Sequence, residues 1–180
     1  TPEIIKKKYP ITRVSKKLID KYKKDDVILK IIKMQSKSFE NRLYCQKWLL
    51  NDINKRFTFY RNYYDLIEKR KLKILDIGGA LTVFTRILSE IHDFTLCEIF
   101  NYETKKQISY FKKTKIVNYD WINHKFGFYD IIVANDLFPN VDQRLELFLL
   151  KALPHCKELR ISLTVDNNEN FYNVKRVRGN

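Results

Sequence analysis

The chain is 180 residues long, with a net charge of +14 and 44% apolar residues. That length suits one domain with an appendage, and a domain of about 150 residues buries roughly 70% of its unfolded surface. The longest apolar run is far short of the roughly 18 residues a membrane span needs, and the basic N-terminus lacks the apolar stretch of a secretory leader.

Residues 1–30 are strongly basic and poorly periodic, and read as a surface arm or a short helix with Ser15 as its cap. Residues 36–69 read as helical, because Leu43, Leu50, Ile53, Phe57, Tyr60 and Tyr64 recur at three- and four-residue steps. No Gly or Pro interrupts this stretch. It packs on the core, and one end of it is placed to cover a pocket.

From residue 71 the texture changes. Residues 71–77 form an apolar strand that ends at Gly78-Gly79. A helix is expected over 82–91, a strand over 94–99, a short helix over 103–111 and a third strand over 115–119. A fourth strand over 128–134, a helix over 141–152 and a fifth strand over 159–165 follow. Residues 171–177 read as a sixth strand, paired antiparallel as a hairpin. Strands that alternate with helices give an open, doubly wound, mostly parallel α/β sheet of about six strands. Two parts follow: residues 1–70 as a basic arm and helical lid, and residues 71–180 as a Rossmann-like core. In such sheets ligands bind beyond the carboxyl ends of the strands.

The polar residues at those ends carry the chemistry. Ile74-Leu75-Asp76-Ile77-Gly78-Gly79-Ala80 is a strand followed by a glycine turn that lets a ligand approach the backbone closely. A carboxylate at position 76 is of little use to a pyrophosphate, and it suits a ligand that bears an ammonium group. Glu98 closes the second strand, next to Ile99, where an acid accepts hydrogen bonds from ribose hydroxyls. The dinucleotide pattern GxGxxG fails, because Ala80 and Val83 stand where it needs glycine. Asp120 and Trp121 follow the third strand, the acid for an exocyclic adenine amine and the indole for packing on the base. Asn135 and Asp136 follow the fourth strand and face the reacting centre.

Cys45, Cys97 and Cys156 are widely spaced, which argues against a disulfide framework and for a reducing, cytoplasmic compartment. His92, His124 and His155 do not stand at metal-ligand spacings from them, so no metal site is expected. Apart from Lys6-Lys7-Lys8 and Lys23-Lys24 the basic residues are dispersed, and nucleic-acid signature motifs are missing. The positive charge therefore favours an anionic small substrate over a nucleic acid.

Over about residues 70–166 this set resembles the class I S-adenosylmethionine (SAM)-dependent methyltransferases. Asp76-Ile-Gly78 matches the first motif, Glu98 the ribose-binding acid, Asp120 the adenine-side acid, and Tyr129 to Asp136 the motif after strand four. Two departures stand out: Ala80 and Thr82 replace later glycines of the loop, and only one strand fits after the fifth. The resemblance implies SAM as cofactor, held by Asp76, Gly78, Gly79, Ala80, Glu98, Ile99, Asp120, Trp121 and Asn135. For catalysis Asp136 is the first candidate base and His124 the second. The expected function is methyl transfer to an oxygen or nitrogen of a small, anionic acceptor, with a bacterial sugar or surface-glycan precursor as the example. The alternatives are an RNA methyltransferase and a noncatalytic Rossmann-like binding protein. The chain is expected to act as a monomer or homodimer.

Overall fold

The computed structural model describes residues 15–138 and 141–163. Its centre is a five-stranded sheet of β1 (Lys73–Ile77), β2 (Asp93–Cys97), β3 (Lys115–Val117), β4 (Tyr129–Asn135) and β5 (Cys156–Ser162). The strand order is β3-β2-β1-β4-β5, and every pairing is parallel. This is the doubly wound, Rossmann-like arrangement, with its switch point between β1 and β4. The expected sixth strand at 171–177 lies outside the described residues.

The central strands are buried on both faces, as crossover helices require. Along β1 the side chains alternate: Ile74 joins one apolar cluster, Leu75 and Ile77 the other. The same alternation places Phe94, Leu96, Ile131 and Val133 on the Ile74 side. Helix α5 (Val83–Ile91) packs there with Phe84 and Leu88, and α7 (Leu145–Ala152) covers the opposite face with Phe148 and Ala152.

Four helices precede the sheet: α1 (Lys16–Lys24), α2 (Val27–Gln35), α3 (Tyr44–Asn51) and α4 (Ile53–Tyr63). Ser15 caps α1 as expected, accepting from the Leu18 N–H. Residues 16–35 are not a surface arm, however. Tyr22, Ile28 and Ile32 are buried in the cluster on the Ile74 side. Helix α1 itself buries little besides Tyr22 while its lysines stay in water. The long helical stretch is also broken. Asp52 leaves helical geometry (φ −123°, ψ 112°) and its carboxylate caps α4 by accepting from the Asn54 and Lys55 N–H groups. An aspartate competes with the helix for its own backbone in this way.

Other boundaries shift for local reasons. The short α6 (Lys105–Ser109) starts at a capping box of Thr104 with Gln107. Helix α7 starts at 145 rather than 141, because the Asp142 carboxylate accepts from the Arg144 N–H and turns the chain there.

The helical layer is knitted by Arg56. Its guanidinium donates to Asp26 at 2.8 Å and to the carbonyls of Leu49 and Leu50. Asp26 also caps α2 and accepts from the Tyr22 hydroxyl at 2.6 Å. Arg56→Ala strands these acceptors and should destabilise the chain by about 3 kcal/mol in urea-induced unfolding, the scale for breaking a buried ion pair. Lys55→Ala, one position away, serves as a control and should cost far less.

Candidate functional site

The site is built at the carboxyl ends of β1, β2 and β4. Beyond β1 the chain turns through Gly78 (φ +67°) and Ala80 (φ +58°), both in the left-handed region. Ala80 thus occupies a loop position where glycine would be free of the strain an L side chain meets, of the order of 1 kcal/mol. Gly79 is held by a contact rather than by its own φ: a Cβ there would fall 2.1 Å from an Asp76 carboxylate oxygen. Thr82, the other expected glycine position, caps α5 in a capping box with Thr85.

Asp76 lies under this loop, buried, and does not line the cavities described below. One of its oxygens accepts from the Tyr63 hydroxyl at 2.9 Å, and the other has no hydrogen-bond partner. Burial pushes its carboxyl up to about 7, with Glu98 adding to the rise and the Tyr63 hydrogen bond opposing it. Burial also raises the Tyr63 hydroxyl, so that it remains a neutral donor.

Glu98 sits at the meeting of two cavities. Its carboxylate accepts from the Ala80 N–H at 3.2 Å and the Ile99 N–H at 2.9 Å, which ties the ends of β1 and β2 together. Of the α5 N-terminal groups, the Val83 N–H is taken by Gln46 of α3 at 3.0 Å. The first cavity, about 350 Å³, lies between the Gly78–Ala80 loop and the helical layer. The second, about 320 Å³, runs toward Tyr119, Asp120, Trp121 and Arg144. Gly78, Glu98, Ile99, Leu137 and Val141 border both, so the two form one continuous cleft.

In the second cavity, Asp120 caps the turn that follows it by accepting from the Ile122 N–H, and pairs with Arg144 at 2.8 Å. The Trp121 ring is buried in the core against Phe148, its N–H donates to Asp142, and the Arg144 guanidinium lies 4.9 Å from the ring centre.

In the first cavity, Asn135 continues the β4 face that bears Ile131 and Val133. Its side-chain oxygen accepts from Asn62 of α4, and its buried amide nitrogen has no partner. Asp136 takes a left-handed conformation (φ +53°) and pairs with Lys55 of α4. Burial lowers the Lys55 ammonium, while Asp52 and Cys45 oppose that change. Burial lifts the Cys45 thiol to about 12, which leaves no thiolate to act as a nucleophile.

His124 is not brought to this centre. It lines neither cavity, and its ring nitrogens face the hydroxyls of Tyr119 and Tyr129 at 3.3 and 3.2 Å. Strand-end reasoning missed the helical contributions: Tyr44, Trp48, Lys55 and Phe59 line the first cavity, and Tyr63 backs Asp76. The dense aromatic content of residues 39–64 was the one signal for them. Among the described residues no His, Cys, Asp or Glu group could hold a metal ion, and no helix is long and apolar enough to cross a membrane.

Asp76 yields a stability prediction. Its folded value is raised above the usual carboxylate value of about 3.9, so the folded chain holds the proton more tightly. That contribution is complete below about pH 4, declines as pH rises and is gone above the folded value of about 7. Urea unfolding at pH 5 and pH 8 should show the wild type losing a few kcal/mol relative to Asp76→Asn, at about 1.4 kcal/mol per pH unit. A constant difference would place the carboxyl at its ordinary value.

No known family profile matches the chain, and no curated protein sequence matches it. Among solved structures it is similar to the plantazolicin methyltransferase BpumL in complex with a monoazolic desmethyl analogue and S-adenosylhomocysteine. Identity there is 22%, over 77% of this chain and 52% of that one, with a TM-score of 0.40. The chain thus spans about half the length of that protein. A protein from Pyrococcus horikoshii named as a candidate RNA methyltransferase is 14% identical, over 82% of this chain and 74% of that one, with a TM-score of 0.47. Coclaurine N-methyltransferase bound to N-methylheliamine and S-adenosylhomocysteine is 12% identical, over 89% and 56%, with a TM-score of 0.46. The likeness is loose in each case, a similarity of chain path.

Proposed function

We propose that the chain is a SAM-dependent methyltransferase that acts on an oxygen or nitrogen atom of a small molecule. The observation that carries this reading is the position of Glu98, at the junction of two cavities beside the Gly78–Ala80 loop. A nucleoside ligand that bridges the two would set its ribose hydroxyls against this carboxylate.

The donor set fits SAM better than a dinucleotide. The loop is backed by a buried carboxylate with an unpartnered oxygen, a poor setting for a pyrophosphate and a good one for a cationic ligand end. The unpartnered Asn135 amide supplies a donor near the same end. In this reading Gly78, Gly79 and Ala80 lie along the methionine portion, and Asp76 acts from beneath the loop. Ile99, Asp120 and Trp121 take the adenine side, where Asp120 would share its carboxylate between Arg144 and the base.

The cofactor supplies an electrophilic methyl group. The protein's part is to place the acceptor in line, exclude water and take a proton where the acceptor carries one. Of the two candidate bases Asp136 is the one that borders the cavity, held there by Lys55. We give His124 no part in the reaction. In this reading helices α3 and α4, whose side chains line the first cavity, would act as the lid expected of the helical residues before 71.

Calorimetric titration with S-adenosylhomocysteine tests the reading, with NAD as control. S-adenosylhomocysteine should bind at micromolar strength or tighter and NAD should not. Glu98→Ala should weaken it about a hundredfold, the scale of two charge-assisted hydrogen bonds. A folded chain that binds neither ligand ends the enzymatic reading.

A further inference from the structure

The wall of the second cavity is organised around Arg144, the last residue before α7. Its Nε and Nη2 donate to the two oxygens of Asp142, at 2.9 and 2.6 Å. Nη2 also donates to both oxygens of Asp120, at 3.1 and 2.8 Å. The guanidinium lies over the Trp121 ring, 4.9 Å from its centre, and the indole N–H donates to Asp142 at 2.8 Å. An exposed ion pair by itself contributes little and holds no fixed geometry. Here the arginine is restrained from several sides, because Asp142 also accepts from its backbone N–H and the Trp121 ring is buried. A planar guanidinium that meets two carboxylates and a ring fixes its partners as a lysine ammonium does not.

Asp142 is the anchor of this network. Burial alone would raise its carboxyl, but hydrogen bonds from Arg144 and Trp121 outweigh that and hold it below the usual carboxylate range. Asp120 is the member with capacity to spare. A carboxylate offers about four acceptor positions, two on each oxygen. Oδ1 of Asp120 meets the Ile122 N–H at 3.0 Å as well as Arg144. Among the described residues Oδ2 meets Arg144 alone, at 2.8 Å. One acceptor position on Oδ2 is left for the N–H of a ligand.

We propose that Arg144 is a positioning residue that sets the nucleobase choice of this cavity, an inference that rests on the SAM reading above. By holding Asp120 at both oxygens it leaves one fixed acceptor, which suits the exocyclic amine of adenine and rejects a carbonyl oxygen on the same ring carbon. In a 6-oxopurine the nearest N–H is that of N1, one atom farther round the ring. A restrained carboxylate does not follow it there, whereas a freed one swings across and recovers the hydrogen bond. Arg144 thus acts through Asp120, without touching the base.

The test compares S-adenosylhomocysteine with S-inosylhomocysteine, in which a carbonyl oxygen replaces the exocyclic amine, by calorimetric titration. The wild type should bind S-adenosylhomocysteine roughly tenfold tighter. Arg144→Ala should shrink that preference to about threefold or less. Arg144→Gln, which keeps more of the side chain over Trp121 but lacks the guanidinium, should do the same. General damage to the cavity would weaken both ligands alike and leave the ratio in place, so the ratio separates positioning from folding. A wild type that binds both ligands equally, or a preference kept in either variant, overturns this inference alone. So does a variant that melts like the wild type and binds neither ligand, since Arg144 would then touch the cofactor itself. A folded wild type that binds neither ligand overturns the methyltransferase reading, and the role of Arg144 with it.

Discussion

The carboxyl end of α4 is tied to the carboxyl ends of the sheet strands by a short row of buried polar contacts, and the site depends on it. Tyr63 donates to Asp76 beneath the loop after β1. Asn62 reaches Asn135 at the end of β4 and donates to Ser162 at the end of β5. Arg160 of β5 returns the contact, donating to the Asn62 carbonyl and pairing with Asp65 at 2.7 Å. Buried polar groups must find partners, so each contact constrains the others. Together they set the helical layer at a defined place over the strand ends, and the first cavity is the space left between.

The two-residue period of a strand explains why these partners meet. Ile74 faces the helical layer, so Asp76 must face it too. The same holds for Ile131, Val133 and Asn135 along β4, and for Phe94, Leu96 and then Glu98 at the end of β2. Three polar residues thus extend three apolar rows on one face of the sheet. The opposite rows, with Leu75, Ile77 and Cys97, run on into the cluster under α7 and carry no comparable polar ends.

Charge behaves differently at the two length scales. The chain is strongly basic, yet the described charged residues that line its first cavity are mostly carboxylates: Glu98, Glu103 and Asp136 beside Lys55. Most lysines stay in water, where salt screens them within about 8–10 Å. Glu103 in the cavity wall and Asp76 beneath the loop are partly and wholly withdrawn from water, and the rise of both carboxyls records that cost. Net charge therefore says little about the charges that line a shielded cleft.

The order of strands and helices from residue 71 to 162, and the polar residues at the strand ends, were legible in the sequence. Both follow from local rules: the two-residue alternation of strands, the apolar runs of a doubly buried sheet, and the turn at Gly78-Gly79. The helical character of residues 36–69, as a helix pair packed on the core, was legible from its three- and four-residue spacing, although the place of the division at Asp52 was not. What only the tertiary structure decided is which residues face one another. Lys55 meets Asp136, Tyr63 meets Asp76 and Tyr44 stacks on Tyr102 across long stretches of chain. His124, a candidate base by type, lines neither cavity and faces the hydroxyls of Tyr119 and Tyr129. Local periodicity tells each element which of its faces is buried. It is silent on which element covers that face, because that depends on packing among parts of the chain distant in sequence.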